Sequence, residues 1–152
     1  LIDILLRLTG EWDPARLGEV IHRFNRAIEL DASLSSAYQG LSQALIYTGD
    51  VGQAVAVGRR GVELGPSDAD ALLFLAVALF ESGEITEALE LADKAIALNP
   101  NYMEALTYKN LLLRLQANVE KDPAKQKALI AEADRLRNRA IELQKKRTAG
   151  IG

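Results

Sequence analysis

The feature that most constrains this sequence is its internal repetition every 34 residues. A shift of 34 carries Thr48-Gly49-Asp50 onto Ser82-Gly83-Glu84, and it carries residues 62–66 onto residues 96–100. A period of this length is typical of folds in which one small structural unit stacks on copies of itself. It predicts consecutive units, the last one longer, at about 1–34, 35–68, 69–102 and 103–147.

Each period has the pattern of two helices. Apolar residues between positions 35 and 47 recur at spacings of three and four, as on one face of an amphipathic helix. Gly49 is placed to end that helix, and a second apolar stripe from Val51 to Val62 is closed by Gly65-Pro66. Because no segment alternates apolar and polar residues between hairpin turns, the predicted class is all-α.

This pattern resembles the tetratricopeptide repeat. In that register the small residue of each second helix is Ala54 or Ala88, and the proline near the end of the repeat is Pro66 or Pro100. The resemblance implies a right-handed superhelical stack of helix–turn–helix repeats, with about seven or eight helices in antiparallel pairs. It also implies a single domain over residues 1–152, with Ala54 and Ala88 buried where paired helices touch, since larger side chains would overpack those contacts.

Two departures from the family pattern need an explanation. The opening helix of the first repeat, at residues 2–8, is displaced around Glu11-Trp12-Asp13-Pro14. The second repeat places Gly58 and Gly61 inside a helix, where each glycine costs about 1 kcal/mol relative to alanine. Two explanations stay open for the glycines: Phe74 of the next helix fills the space beside them, or a tolerant helix has drifted.

The last repeat is longer than the others by 11 residues when Ala133 is aligned with Ala54. Asp122-Pro123 is a capping residue followed by a proline at the first helical position, so a helix is predicted from Pro123 to about Lys146. The leucines at 129, 136 and 143 have heptad spacing and are expected to face the preceding helix, with the arginines outward. The stack is therefore predicted to end in a long antiparallel helical hairpin that caps it.

No group of residues stands out for catalysis, cofactor binding or metal binding. The chain has no cysteine and one histidine, His22, which excludes thiolate zinc sites and cysteine nucleophiles and leaves no second imidazole. The carboxylates at positions 84, 87, 90 and 93 are better explained as a solvated stripe, because catalytic carboxylates need unequal environments. The longest apolar run, residues 71–80, is too short to cross a bilayer. A soluble, non-enzymatic protein without a cofactor is predicted.

Charge is distributed unevenly along the chain. Residues 1–120 hold 9 basic and 17 acidic groups, whereas residues 121–147 hold 9 basic and 4 acidic groups. The basic residues of the second segment are Lys121, Lys125, Lys127, Arg135, Arg137, Arg139, Lys145, Lys146 and Arg147. A solvated helix face is the simplest explanation, and an anionic partner or contact between two copies of the chain stays open. Nucleic acid is disfavoured, since no aromatic residue lies among these cations to stack on bases.

The predicted function is protein binding through the concave groove that the resemblance implies. The resemblance places these residues on the groove face: Ser36, Gln39, Gln43, Ile46, Tyr47, Asp70, Leu73, Val77, Phe80, Glu81, Glu104, Thr107, Leu111, Arg114 and Leu115. The expected partner contacts among them are Gln39, Gln43, Tyr47, Leu73, Val77, Phe80, Leu111 and Arg114. They combine a polar entrance, an apolar floor and two rim anchors. The Lys, Asn and Arg with which some family members hold a C-terminal carboxylate are missing from the matching positions.

Two kinds of function stay open. The first is a non-enzymatic scaffold or adaptor whose groove binds a peptide or helix of another protein, unless residues 1–8 of the chain itself cover the groove. The second is a structural subunit of a larger assembly that packs through its helical ends and its basic C-terminal hairpin. The chain begins at Leu1 rather than methionine, so we expect a trimmed or processed N-terminus. Its composition is compatible with both cytoplasm and periplasm, and it predicts no compartment.

Overall fold

A computed structural model describes residues 14–150 of the chain. Pro14–Arg16 form one 3-10 turn, and α-helices follow it. They are α1 (Leu17–Leu30), α2 (Ser35–Thr48), α3 (Val51–Leu64), α4 (Ala69–Glu81), α5 (Ile85–Leu98), α6 (Met103–Val119) and α7 (Pro123–Thr148). These residues contain no strand, which confirms the all-α fold of helix–turn–helix repeats. The helix expected at residues 2–8 lies outside the described residues.

The chain divides between Glu84 and Ile85 into two compact units. Unit 1 contains α1 to α4, and within it α2 packs against α1, α3 and α4, while α4 also packs against α3. Unit 2 contains α5 to α7, and within it α6 packs against both α5 and α7. The organisation of residues 1–152 as a single domain stays a prediction.

Helices α2 and α4 end in the same way, one repeat apart. Gly49 and Gly83 follow them in the left-handed backbone conformation, with φ of 81° and 91°. In each case the amide after the glycine donates to the carbonyl five residues earlier. The Asp50 amide donates to the Leu45 carbonyl at 3.0 Å, and the Glu84 amide donates to the Leu79 carbonyl at 2.8 Å. These bonds are those of a Schellman-type C-cap, in which glycine adopts a positive φ without strain. The repetition in the sequence is therefore also a repetition of backbone geometry.

Small residues bring α2 and α3 together. Ala54 of α3 is fully buried, and the buried Ser42 of α2 donates from Oγ to the carbonyl oxygen of Ala54 at 2.8 Å. Ala88, which is equivalent to Ala54 in the next repeat, is also fully buried. The burial of both alanines confirms the sequence register at these positions.

Gly58 allows α4 to approach α3 closely. A Cβ atom at Gly58 would lie 3.1 Å from the Oγ of Ser42, 3.2 Å from the Cδ1 of Leu75 and 3.6 Å from the Cα of Leu75. A side chain at this position would therefore push α4 away from α2 and α3, which explains a glycine inside a helix. The suggestion that Phe74 fills this space is wrong. Leu75 meets the glycine, because adjacent residues on a helix point in directions about 100° apart.

In unit 2, α7 runs without a break from Pro123 to Thr148, as the sequence predicts. Asp122 caps it, since its Oδ1 accepts a hydrogen bond from the Ala124 amide at 2.9 Å. Along α7 the fully packed residues are Ala133 and Ala140, whereas the three leucines of the heptad pattern are half-buried. The arginines at 135, 137 and 139 are exposed, as expected.

Lys109 of α6 joins three helices of unit 2. Its Nζ donates to Asp93 of α5 at 2.7 Å and to Glu132 of α7 at 2.6 Å. The lysine side chain is 13% exposed, whereas the two carboxylates are 57% and 40% exposed. Burial lowers the pKa of Lys109, but the hydrogen bonds and charges of Asp93 and Glu132 outweigh burial and raise the pKa above its ordinary value. The lysine is therefore held in its charged form.

Candidate partner-binding surface

Three of the expected contact residues, Gln39, Gln43 and Tyr47, lie four residues apart on α2 and therefore on one face of it. All three are half-buried. Gln39 serves the fold, because its Nε2 donates to the Oδ2 of Asp68 at 2.7 Å and to the Oγ of Ser35 at 3.2 Å. Gln43 and Tyr47 take no part in these two hydrogen bonds of Gln39, and both side chains are partly accessible.

The apolar floor expected on α4 is not an open strip. Leu73 is 5% exposed and Val77 is 1% exposed, and of the three floor residues on α4 only Phe80 is half-buried. The expectation that Leu73 and Val77 face solvent is wrong, because side chains this deeply buried cannot touch a partner unless their neighbours move. The uninterrupted apolar run from Ala71 to Leu79 is typical of a helix buried on all sides, and it is the sequence signal for this burial.

The C-terminal turn of α4 contains a carboxylate oxygen without a hydrogen-bond partner. Glu81 Oε1 is buried, and no donor in the described part of the chain reaches it. The register places Glu81 on the groove face, 34 residues after Tyr47. A buried acceptor without a donor costs about 1–3 kcal/mol. Glu81 lies on the groove face predicted from the sequence and is not one of the eight expected partner contacts; its burial is seen only in the structure.

The remaining expected contacts, Leu111 and Arg114, lie on α6 in unit 2. Leu111 is half-buried. The guanidinium of Arg114 forms an ion pair with Asp134 of α7 at 2.5 Å, and its Nε donates to the Oδ1 of Asn110 at 2.9 Å. Arg114 therefore fixes α7 against α6 in addition to any contact it makes with a partner.

Two of the carboxylates weighed as catalytic candidates lie beside cations of the fold, and the histidine lies in solvent. Asp93 belongs to the ion triad of Lys109, and Glu84 lies 3.9 Å from the guanidinium of Arg59. His22 is exposed on α1. In residues 14–150, no three His, Cys, Asp or Glu side chains come close enough to hold a metal ion. Of the helices described, none is both long enough and apolar enough to span a membrane.

The sequence model of the tetratricopeptide repeat family matches residues 40–102. Residues 40–102 carry tetratricopeptide repeats. The matched stretch extends from α2 through α5 and contains both glycine C-caps and both buried alanines. This match supports an interaction scaffold built from helical repeats.

Several solved structures have the same fold. The crystal structure of MamA matches with a TM-score of 0.69 at 22% identity, covering 88% of this chain and 71% of that chain. The second tetratricopeptide domain of Spaghetti (RPAP3), bound to an HSP90 peptide, matches with a TM-score of 0.61 at 16% identity, covering 72% and 91%. An O-GlcNAc transferase of Thermobaculum terrenum matches with a TM-score of 0.66 at 24% identity, covering 80% of this chain and 24% of the transferase. No curated protein sequence matches the chain.

Proposed function

We propose that the protein is a scaffold that binds a segment of another protein on the face of α2 and α4 that carries Gln43, Tyr47, Phe80 and Glu81. The observation that carries this proposal is the buried Glu81 oxygen without a donor. The cost of leaving this acceptor unpaired is relieved when a partner supplies an N–H group. Binding is then favoured by an interaction that the free protein lacks. Buried polar atoms without partners are rare in folded proteins, and a ligand is one explanation for them.

The chemistry of this face favours a partner segment with a hydrogen-bond donor between apolar or aromatic side chains. Helix α2 contains no charged residue, and α4 contains only Asp70 and Glu81. A C-terminal carboxylate is disfavoured, because Gln39 and Gln43 occupy positions where some family members have cations. The peptide complex of Spaghetti supports binding of a peptide on this fold, and the partner of the present chain is expected to differ in charge. The affinity should change little with salt, since buried contacts are screened weakly.

The test uses Glu81→Leu, with Gln53→Leu on the exposed side of α3 as the matched control. Proteins captured from the native source by the wild-type chain are quantified by mass spectrometry, and the most enriched one is titrated against all three chains. We expect Glu81→Leu to weaken that binding about tenfold or more, because a desolvated polar contact is lost. Its melting temperature should stay unchanged or rise, since an unpaired buried acceptor is removed.

Two results would contradict the proposal. One is unchanged binding by Glu81→Leu, which would place the partner on another surface. The other is a lower melting temperature with proportionate loss of binding, which would make Glu81 a residue of the fold. The control Gln53→Leu should match the wild-type chain in both measurements.

The second candidate function is a structural subunit of a larger assembly that packs through its helical ends and its basic C-terminal hairpin, with another copy of the chain as the neighbouring subunit. The observation that favours it is the exposure of two isoleucines on α7, Ile130 at 39% and Ile141 at 45%. Sedimentation of the purified chain over a wide concentration range tests it. A mass that stays that of a monomer at every concentration excludes this function.

A further inference from the structure

A second candidate surface lies between α6 and α7 in unit 2, and it includes Thr107 of the predicted groove face. It contains a pocket of about 280 Å³ whose lining includes Thr107 and Asn110 of α6 and Arg137, Ala140 and Ile141 of α7. We call these five residues the hairpin surface. Ile141 is 45% exposed there. The volume is small for an organic ligand, since pockets for drug-sized molecules measure about 300–1,000 Å³.

The internal repeat shows what kind of element this surface accepts. A shift of 68 residues takes Gln39 and Ser42 of α2 onto Thr107 and Asn110 of α6. With the 11-residue insertion, Gly58 and Gly61 of α3 correspond to Arg137 and Ala140 of α7. Burial agrees with this alignment, because Gly61 and Ala140 are both buried, as are Ala54 and Ala133.

In unit 1 the equivalent surface is occupied by α4. Asp68, the N-cap of α4, accepts a hydrogen bond from Gln39, and Leu75 packs on Gly58. Ala71 and Leu72 lie between them on the same side of α4 and are 2% and 3% exposed. The surface formed by the two helices of one repeat therefore accepts the first helix of the next repeat. That incoming helix packs through its N-cap, its third and fourth residues, and its seventh residue.

The hairpin surface differs from its equivalent in charge. Arg137 stands where Gly58 receives the leucine, so a helix placed like α4 would bring its seventh residue against a guanidinium. Arg137 and Arg114 share one carboxylate, that of Asp134, at 3.4 Å and 2.5 Å. Two cations with one anion leave a net positive charge. Lys145 adds to it, since it is exposed and lies one helical turn after Ile141.

We propose that the hairpin surface binds an amphipathic helix of a partner protein, one with small or aliphatic residues in its first turn and an acidic residue one turn later. The aliphatic residues fill the pocket beside Ala140 and Ile141. The acidic residue pairs with Arg137 and supplies the negative charge that Asp134 alone does not provide. This site contains none of Gln43, Tyr47, Phe80 and Glu81, so it is a second binding surface with a different chemistry.

The test uses a labelled synthetic helix of about 15 residues, the length at which a helix becomes stable in water. The peptide has aspartate at its N-cap, alanine and leucine at the third and fourth positions after it, and glutamate at the seventh. Fluorescence anisotropy measures its binding to the full chain. Arg137→Glu should weaken binding at least about tenfold, because like charges then meet. A second peptide with arginine at the seventh position should restore binding to Arg137→Glu.

Arg135→Glu is the matched control, since it makes the same change of charge at an exposed position on a different side of α7. It should bind the first peptide far more tightly than Arg137→Glu does. Circular dichroism checks that all variants remain folded. Glu81→Leu should bind the peptide like the wild-type chain, which keeps this test separate from that of the groove face.

Three results would overturn the proposal. The first is no saturable binding of either peptide to the wild-type chain. The second is equal weakening by Arg137→Glu and Arg135→Glu, which would mean that only net charge matters. The third is self-association of the wild-type chain that Ile141→Lys abolishes while the peptide fails to bind. In that case a second copy of the chain occupies the surface.

Discussion

The helix pairs α2–α3 and α6–α7 occupy the same positions of the repeat, but the surface of the first pair is covered by another helix and that of the second is partly exposed. In the first pair, Ser42 and Gly58 leave room for Leu75 of α4, and the surface is closed by the chain itself. In the second pair, Asn110 and Arg137 occupy the same register positions, and Ile141 beside them is 45% exposed. Small residues at these positions let a neighbouring helix of the same chain pack closely, whereas a charged residue at an equivalent position leaves the surface accessible to a partner.

The largest expected change in stability comes from placing the arginine of the α6–α7 pair at the equivalent position of the α2–α3 pair. Gly58→Arg should destabilise unit 1 by more than about 3 kcal/mol, because the side chain has no space beneath Leu75 and would bury a charge. By contrast, Arg137→Ala at the equivalent position should change the free energy of unfolding by less than about 1 kcal/mol, since it removes only a half-exposed ion pair. Urea denaturation of both variants checks this. Equal losses would mean that the two positions are not structurally different.

A smaller change in stability distinguishes glycines where an added Cβ would meet a neighbour from glycines where it would not. A Cβ at Gly40 would lie 2.1 Å from the ring of Phe24, whereas a Cβ at Gly52 meets no atom within 4 Å. Gly40→Ala should therefore destabilise the protein by about 1–3 kcal/mol through overpacking of α1 on α2. Gly52→Ala should stabilise it by about 0.5–1 kcal/mol through helix propensity. Thermal unfolding gives the two signs, and a stabilising Gly40→Ala would contradict the packing described for α1.

The smallest expected change in stability comes from removing Lys109 from its ion pairs with Asp93 and Glu132 in unit 2. Lys109→Met should cost about 1 kcal/mol, because Asp93 and Glu132 are partly exposed and regain water. The pKa of Lys109 is raised in the folded state, so its contribution is complete below the ordinary value of 10.5 and is lost as pH rises through the raised value. The stability difference between wild type and variant should shrink above that pH. A difference that stays constant into strong alkali would show that the loss is one of packing alone.

Features that depend on local sequence could be predicted, and features that depend on distant neighbours could not. The caps at Gly49 and Asp122 follow from residues within one turn, and the buried Ala54 follows from the repeat register. The triad of Lys109 joins residues 16 and 23 positions away on other helices, and no local pattern indicates it. The same holds for the burial of Val77, because the sequence places it on a face but does not state what covers that face.

The candidate sites show the same division. The register placed Gln43, Tyr47 and Glu81 on the groove face, since position in a repeat determines the side of the helix. It did not indicate that Gln39 is bonded to Asp68, because that bond depends on how closely α4 approaches α2. For the hairpin the sequence predicts only a cap of the stack, since the pocket forms where α6 and α7 meet after the 11-residue insertion.

Cysteine accessibility can show whether the same repeat position is buried in unit 1 and accessible in unit 2. The natural chain has no cysteine, so Ser42→Cys and Asn110→Cys each introduce a single thiol at equivalent positions. Ser42 is fully buried, and Asn110 is partly accessible at the pocket. With a thiol reagent under native conditions, we expect the cysteine at 110 to react at least about a hundredfold faster, because the other must wait for local unfolding. Similar rates for the two cysteines would contradict this difference in accessibility.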